Sequence, residues 1–211
     1  MRKTLLATSL LAAAVAAPSA ALAHQAGDII VRAGAVTVTT HENSSKLKVD
    51  GAKVAGTKAT LNDNTQLGLN FAYMVTDKVG IELLAATPFK HEAKVKGLSA
   101  GTGISGLDGK LGSFKHLPPT LSVVYYPFDG KSAFKPYVGA GINYTWFFDE
   151  NLSSHAKNNL GASGFSVKNT WGWAAQIGAD YMLTDNILVN AQVRYIDIDT
   201  TAKVNTALGH A

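Results

Sequence analysis

Thr65-Gln66-Leu67-Gly68-Leu69-Asn70-Phe71-Ala72-Tyr73-Met74-Val75-Thr76 alternates without a break. Leu67, Leu69, Phe71, Tyr73 and Val75 share one face, and Gln66, Gly68, Asn70, Ala72 and Met74 share the other. A period of two held over a dozen residues is the mark of a strand. The next segment, Val79 to Thr87, repeats it after the short turn Thr76-Asp77-Lys78, with Ile81, Leu83 and Ala85 opposite Gly80, Glu82, Leu84 and Ala86. Two such strands joined by three residues read as an antiparallel hairpin.

Five more segments follow the same rule: Asp28–Thr39, Leu117–Tyr126, Pro136–Phe147, Thr170–Met182 and Ile187–Ile196. Seven strands of about ten residues have the length that crosses a tilted bilayer. One face is apolar, with Tyr73, Tyr125, Tyr144, Trp146, Trp171, Tyr181 and Tyr195 near strand ends. Amphipathic rings are most stable at the headgroup level, so this spacing predicts interfacial girdles. The connections alternate short (76–78, 127–132, 183–186) with long (40–64, 90–116, 148–169 and beyond 197). Tight turns at one end and long loops at the other suit an outer-membrane barrel. A soluble barrel would instead put its apolar face inside.

Composition agrees. The chain has 211 residues, 46% hydrophobic and only 16% charged, which argues against disorder and fits one domain or at most two small ones. Without cysteine it has no disulfides, thiolate metal sites or cysteine nucleophile. Met1-Arg2-Lys3-Thr4, the apolar run Leu5–Ala17 and Ala21-Leu22-Ala23 have the layout of an export signal cleaved before His24. The run is too short to anchor in a membrane as a helix. Residues 1–23 are thus expected to be a signal peptide and 24–211 the barrel domain. Of 19 basic and 15 acidic residues, Arg2 and Lys3 lie in the leader, which leaves a mature net charge of +2. That balance does not suit a nucleic-acid partner.

Strand parity points Arg32, Asn70, Glu82, Asn143, Gln176, Asp180, Asn190, Gln192 and Arg194 inward. An eight-stranded barrel holds little more than side chains, and buried charges persist when paired. These residues are therefore expected to form an internal polar network that plugs part of the lumen. Glu82 and Asp180 could instead serve as a carboxylate pair for acid–base work, but the two arginines favour salt bridges. Leu84, Met74, Val36, Val124 and Phe147 could line an apolar path or merely pack the lumen; sequence does not separate the two. The six histidines show no metal-ligand spacing, no G-x-S-x-G element is present, and Gly139-Ala140-Gly141 lies within a strand rather than before a helix. No catalytic residue, metal or cofactor is expected. The glycine-rich loop 90–116, with Lys90, Lys94, Lys96, Lys110 and Lys115, and Lys46, Lys48, Lys53 and Lys58 of the first loop either stay solvated or meet the anionic outer leaflet.

Several stretches resemble the outer membrane protein W (OmpW/AlkL) family. They are His24-Gln25-Ala26-Gly27-Asp28 with Val31-Arg32-Ala33-Gly34, Asn64–Leu69, Glu82–Phe89, His116-Leu117-Pro118-Pro119-Thr120, Pro136–Tyr144 and Tyr195–Asp199, in family order. The resemblance implies an eight-stranded antiparallel transmembrane β-barrel in the Gram-negative outer membrane, reached through the periplasm. It implies passage of small hydrophobic solutes through a narrow, mostly apolar external funnel with lateral exit; the loop lysines put outer-membrane lipid and lipopolysaccharide among the expected partners. One rival is a structural or receptor barrel that binds partners through its loops and conducts nothing; the other is a lipid-modifying outer-membrane enzyme, which would need one of His91, His116 and His155. The family closes on an eighth strand ending in an aromatic residue, whereas this chain ends at Leu208-Gly209-His210-Ala211. A truncated C-terminus lacking the last strand is therefore expected. Oligomeric state stays open.

Overall fold

Strands with two unlike faces are stable only when their edges pair and one face is covered, and the alternating segments achieve both by antiparallel neighbour pairing. The computed structural model describes residues 3–14, 24–41, 48–49, 52–128, 132–206 and 209–210. The cleavage site Ala21-Leu22-Ala23 and Lys46 lie outside the described residues. In chain order the elements are β1 (Lys3–Ala14), β2 (Ile29–His41), β3 (Lys48–Val49), β4 (Ala52–Lys53), β5 (Lys58–Leu61), β6 (Asn64–Met74), β7 (Val79–Ala86), β8 (Phe89–Lys96), α1 (Leu98–Thr102), β9 (Gly109–Leu117) and β10 (Thr120–Tyr125). There follow β11 (Phe134–Leu152), α2 (Ser154–Leu160), β12 (Ala162–Val167), β13 (Thr170–Met182), β14 (Ile187–Ile198), β15 (Ala202–Thr206) and β16 (Gly209–His210).

Eight strands close a ring in the order β1-β2-β6-β7-β10-β11-β13-β14, and every neighbouring pair is antiparallel. Seven of them are the strands expected from the alternation. The eighth place, for which the alternation supplies no strand, is taken by β1, from the stretch expected to be an export leader. It pairs with β2 from Thr4↔His41 to Ala12↔Ala33 and with β14 from Lys3↔Ile198 to Ala14↔Ile187. The physical reason is the demand of two open edges: unpaired backbone groups in hydrocarbon cost several kcal/mol each, and a twelve-residue segment rich in Leu and Ala can pair with both.

Matching turns hold one end. Thr76 Oγ1 accepts from the Val79 amide at 3.0 Å, and Thr184 Oγ1 accepts from the Ile187 amide at 3.0 Å. At the other end the wall rises beyond the ring. β11 continues past Trp146↔Leu117 to Leu152↔Gly112 against β9, β9 pairs with β8, and β8 with β5. Pro88, Pro118 and Pro119, which lack a ladder N–H, mark the step from ring to flap. Asp149, at φ 54°, supplies a bulge in β11 where the register shifts between Phe148 and Asn151. The sequence reading leaves 90–116 and 148–169 as loops. Instead β8 puts Phe89, His91, Ala93 and Val95 inside and Lys90, Glu92, Lys94 and Lys96 outside or at the rim, a period-2 segment masked by its lysines.

The outer wall of the ring is apolar: Leu67, Phe71, Leu83, Val123, Ile142 and Ile177 are all exposed. Exposed aromatics ring both ends, Tyr73, Tyr125 and Tyr181 near the turns and Trp146, Trp171 and Trp173 near the loops.

Candidate functional site

The inward residues of each strand fall into three layers, because steps of two residues climb the wall at about 7 Å per step. Along β2 these steps are Ile30, Arg32, Gly34 and Val36. At the turn end, Ile30, Ala72, Met74, Val124, Tyr126, Tyr137, Met182 and Leu188 form one buried apolar cluster. At the loop end, Val36, Val38, Phe89, Phe114, Phe147, Ile196 and Ile198 belong to a second, which the flap, Ala156 of α2 and Val167 and Val204 extend. Between them lies a belt of buried charge.

Arg32 and Asp180 centre the belt. Arg32 donates through Nε to Asp180 Oδ1 at 2.9 Å and through Nη2 to Oδ2 at 2.6 Å, a two-pronged pair with no exposure on either side chain. Nη2 also donates to the Tyr126 hydroxyl at 2.8 Å, and Nη1 lies 3.4 Å from both Asn70 Oδ1 and Glu82 Oε2. Glu82 takes a second guanidinium, that of Arg194, and the Gln176 amide at 2.8 Å. Asp180 further accepts from His24 Nε2 at 2.8 Å, Tyr126 at 3.1 Å and Asn190 Nδ2 at 2.8 Å. Tyr137 donates to Gln192 and accepts from Asn190, and its ring lies 5.6 Å from the Arg32 guanidinium carbon. Two cations answer two anions, so the belt is a neutral cross-brace and both carboxylates serve as arginine partners.

Eight of the nine expected polar residues are brought together in this way. Asn143 stands apart: its Nδ2 donates to the Pro119 carbonyl and Thr120 Oγ1, each at 3.0 Å, and its Oδ1 accepts from Thr145. Three members of the belt, Tyr126, Tyr137 and His24, lie outside the expected set. Tyr126 and Tyr137 have inward parity, so their signal was present. His24 precedes the first alternating strand, so periodicity says nothing about it.

The five apolar candidates divide around the belt. Met74 and Val124 lie below it in the turn-end cluster, while Val36 and Phe147 lie above it. Leu84 is above too, in a cavity shared with Val36, Val38, Ala86, Phe89, Pro118 and Ile196, with free space of about one water molecule. They therefore do not form one continuous path. Beyond the cavity, His116 stacks on Phe89 and on His91 at ring separations of 5.4 and 4.9 Å, with Phe114 and Phe147 around them. His91 donates from Nδ1 to the Asn62 carbonyl at 2.6 Å. Burial lowers the pKa of His91 and, helped by the neighbouring His91, pushes that of His116 down to about 3. Among the described residues no cluster of three histidine or carboxylate side chains could hold a metal ion.

With this geometry in view, the chain can be placed beside known proteins. The OmpW family model matches residues 25–211. Outer membrane protein W of Vibrio cholerae is 45% identical over 202 residues, covering 96% of this chain and 87% of that protein. The crystal structure of outer membrane protein OprG from Pseudomonas aeruginosa superposes with a TM-score of 0.72 at 41% identity, over 99% of this chain and 86% of that one. The NMR solution structure of outer membrane protein W from Escherichia coli gives 0.54 at 44% identity, over 89% and 91%. The ring is an outer-membrane β-barrel, and its location is the bacterial outer membrane.

Proposed function

The chain belongs to the OmpW family, and from that premise we propose that it is an outer-membrane channel admitting small hydrophobic molecules, with no reaction chemistry of its own. One observation carries the reading. Under the loop-end flap lies carbon-lined surface around Leu84, Val36 and Phe89, and below it a floor of paired charges, so a solute admitted from that end would reach them in that order. Ions and polar solutes gain nothing on the first surface and cannot displace the second, because separating a buried ion pair costs several kcal/mol. An apolar solute is stabilised at the first and has no reason to cross the second, so its exit is sideways into lipid. A more distant relative, 27% identical over 170 residues, bears the name dibenzothiophene metabolism operon protein PahQ, which ties that protein to an apolar aromatic compound. In the same reading residues 1–23 are a removable leader, 24–211 are the barrel domain, and outer-membrane lipid with lipopolysaccharide surrounds the wall.

The test is flux into proteoliposomes. A small apolar probe should enter faster than into protein-free vesicles, and a polar probe of equal size should not. Leu84→Asp should slow the apolar probe at least several-fold while leaving the fast-migrating folded band of unboiled gel samples intact. Equal rates with and without protein would leave the loop-binding surface barrel as the reading. The tightness of the cavity, about one water across, is the observation on that side.

A further inference from the structure

The outward face of the flap carries like charges in an arrangement that sheets ordinarily avoid. Lys58 lies opposite Lys96, Lys94 opposite Lys110, and Lys90 opposite Lys115. Directly opposed like charges destabilise an antiparallel pair. Two of the six lysines are answered: Lys110 Nζ lies 2.6 Å from Glu92 and Lys115 Nζ 2.8 Å from Asp149. Lys58, Lys90, Lys94 and Lys96 are exposed and have no ion pair among the described residues. The basic field is felt by the acids within it. The Glu92 carboxyl is held below its usual range by Lys110 first, with Lys94 and Lys90 adding, and Asp149 by Lys115 first, with Lys90 adding.

The height of these lysines identifies what they face. In the register of β9 and β11, Leu117 lies opposite Trp146 and Lys115 opposite Phe148. Trp146 is exposed on the lipid-facing wall, and its ring lies 5.5 Å from that of Phe148. Lys90 and Lys115 therefore stand one outward step, about 7 Å, beyond the aromatic girdle that marks the headgroup level. From Lys90 to Lys96 the ladder climbs a further ~20 Å along β8. An anion that fits must offer negative groups at the membrane surface and again some way above it. The outer-leaflet glycolipid does so, with phosphates on its lipid A and more anionic groups in its core sugars. A phospholipid offers the first level only.

We propose that this lysine ladder is a docking strip for lipopolysaccharide, with a lipid A phosphate between Lys90 and Lys115 and the core oligosaccharide running up past Lys94, Lys110, Lys96 and Lys58. The proposal rests on the outer-membrane location and is independent of the channel reading, because flux and lipid binding are measured separately.

The full chain in detergent micelles would be titrated with lipid A carrying both phosphates and with the same lipid dephosphorylated. The phosphorylated form should bind at least tenfold tighter, and that advantage should shrink steeply between low and high salt. K90Q/K94Q/K96Q should lose most of it, while K157Q/K168Q/K203Q, which removes the same charge from other loops, should keep it. Far-UV circular dichroism and the fast gel mobility of unboiled samples would report folding, and K90R/K94R/K96R should restore binding even if the glutamine variant proves fragile. Equal binding of the two lipids would overturn the strip, as would equal loss in the two glutamine variants. Full competition by phosphatidylglycerol would overturn its assignment to lipopolysaccharide.

Discussion

Asp180 sits at a crossing point of the interior, accepting hydrogen bonds from Arg32, His24, Tyr126 and Asn190. Asp180→Ala would leave the Arg32 guanidinium buried with neutral partners in Tyr126 and Asn70 and, as its one remaining carboxylate, Glu82 at 3.4 Å. Removing one partner of a buried pair typically costs about 3–5 kcal/mol, because the remaining charge is neither solvated nor paired. Urea unfolding in lipid vesicles should show a loss of about that size, and a loss under about 1 kcal/mol would mean that the belt is not a brace. Replacing Arg32 and Asp180 together by methionine and leucine should cost less than either single change, since no orphan charge then remains. Much of this belt was legible from parity alone, because a step of two fixes which side chains meet the axis. Parity could not rank them. Asn143 obeys the same rule as Asn190 yet spends its amide on Pro119 and Thr120, because its level on β11 is that of the β9–β10 corner.

At the level of elements, the ring strands were readable because each has an apolar face against lipid, which leaves no ambiguity of phase. The flap strands were harder. Phe89-Lys90-His91-Glu92-Ala93-Lys94-Val95-Lys96 alternates as cleanly as β6, but four charged residues in eight read as loop until something covers the other face. That cover is the barrel mouth. A consequence concerns the β8–β9 hairpin, which carries His91 and His116 inward. Both are held neutral by burial, so the fold binds fewer protons there than the unfolded chain does. Stability is thus full above the ordinary histidine value of 6.5 and falls as pH drops below it, until His116 itself would protonate near 3. The slope from one such group is at most about 1.4 kcal/mol per pH unit. Protection factors of the hairpin amides, which correct for the slower intrinsic exchange at lower pH, should therefore fall between pH 6.5 and 5, above the range in which Glu92 and Asp149 take up protons. His116→Phe, which keeps the stack on Phe89, should flatten much of that dependence; an unchanged slope would assign it to other groups.

For the whole molecule the deciding feature is the seam between β2 and β14. Ring closure is not optional in hydrocarbon, since each edge exposes a row of unsatisfied amides and carbonyls. In the full chain Lys3–Ala14 fills that seam along its entire length on β14 and most of it on β2. The same residues have the composition of an export leader, and the two roles exclude each other in time: a segment that is cut off cannot go on closing the ring. The first role is not legible in the residues, because Leu5–Ala14 shows no alternation; a run of apolar and small residues on both faces pairs with an edge as readily as it enters a translocon. The two roles separate in a refolding experiment. The full chain, refolded into lipid vesicles, should give a compact species that migrates faster than its boiled form. Residues 24–211 alone should give far less of it, and adding a peptide of residues 3–14 in trans should restore part of the yield, because the slot needs backbone partners more than specific side chains. If residues 24–211 close as well as the full chain, β2 and β14 must meet directly or another segment must enter the seam. Cross-linking between single cysteines placed at Ala33 and Ala191 would then distinguish a seven-stranded ring from one closed by a different strand.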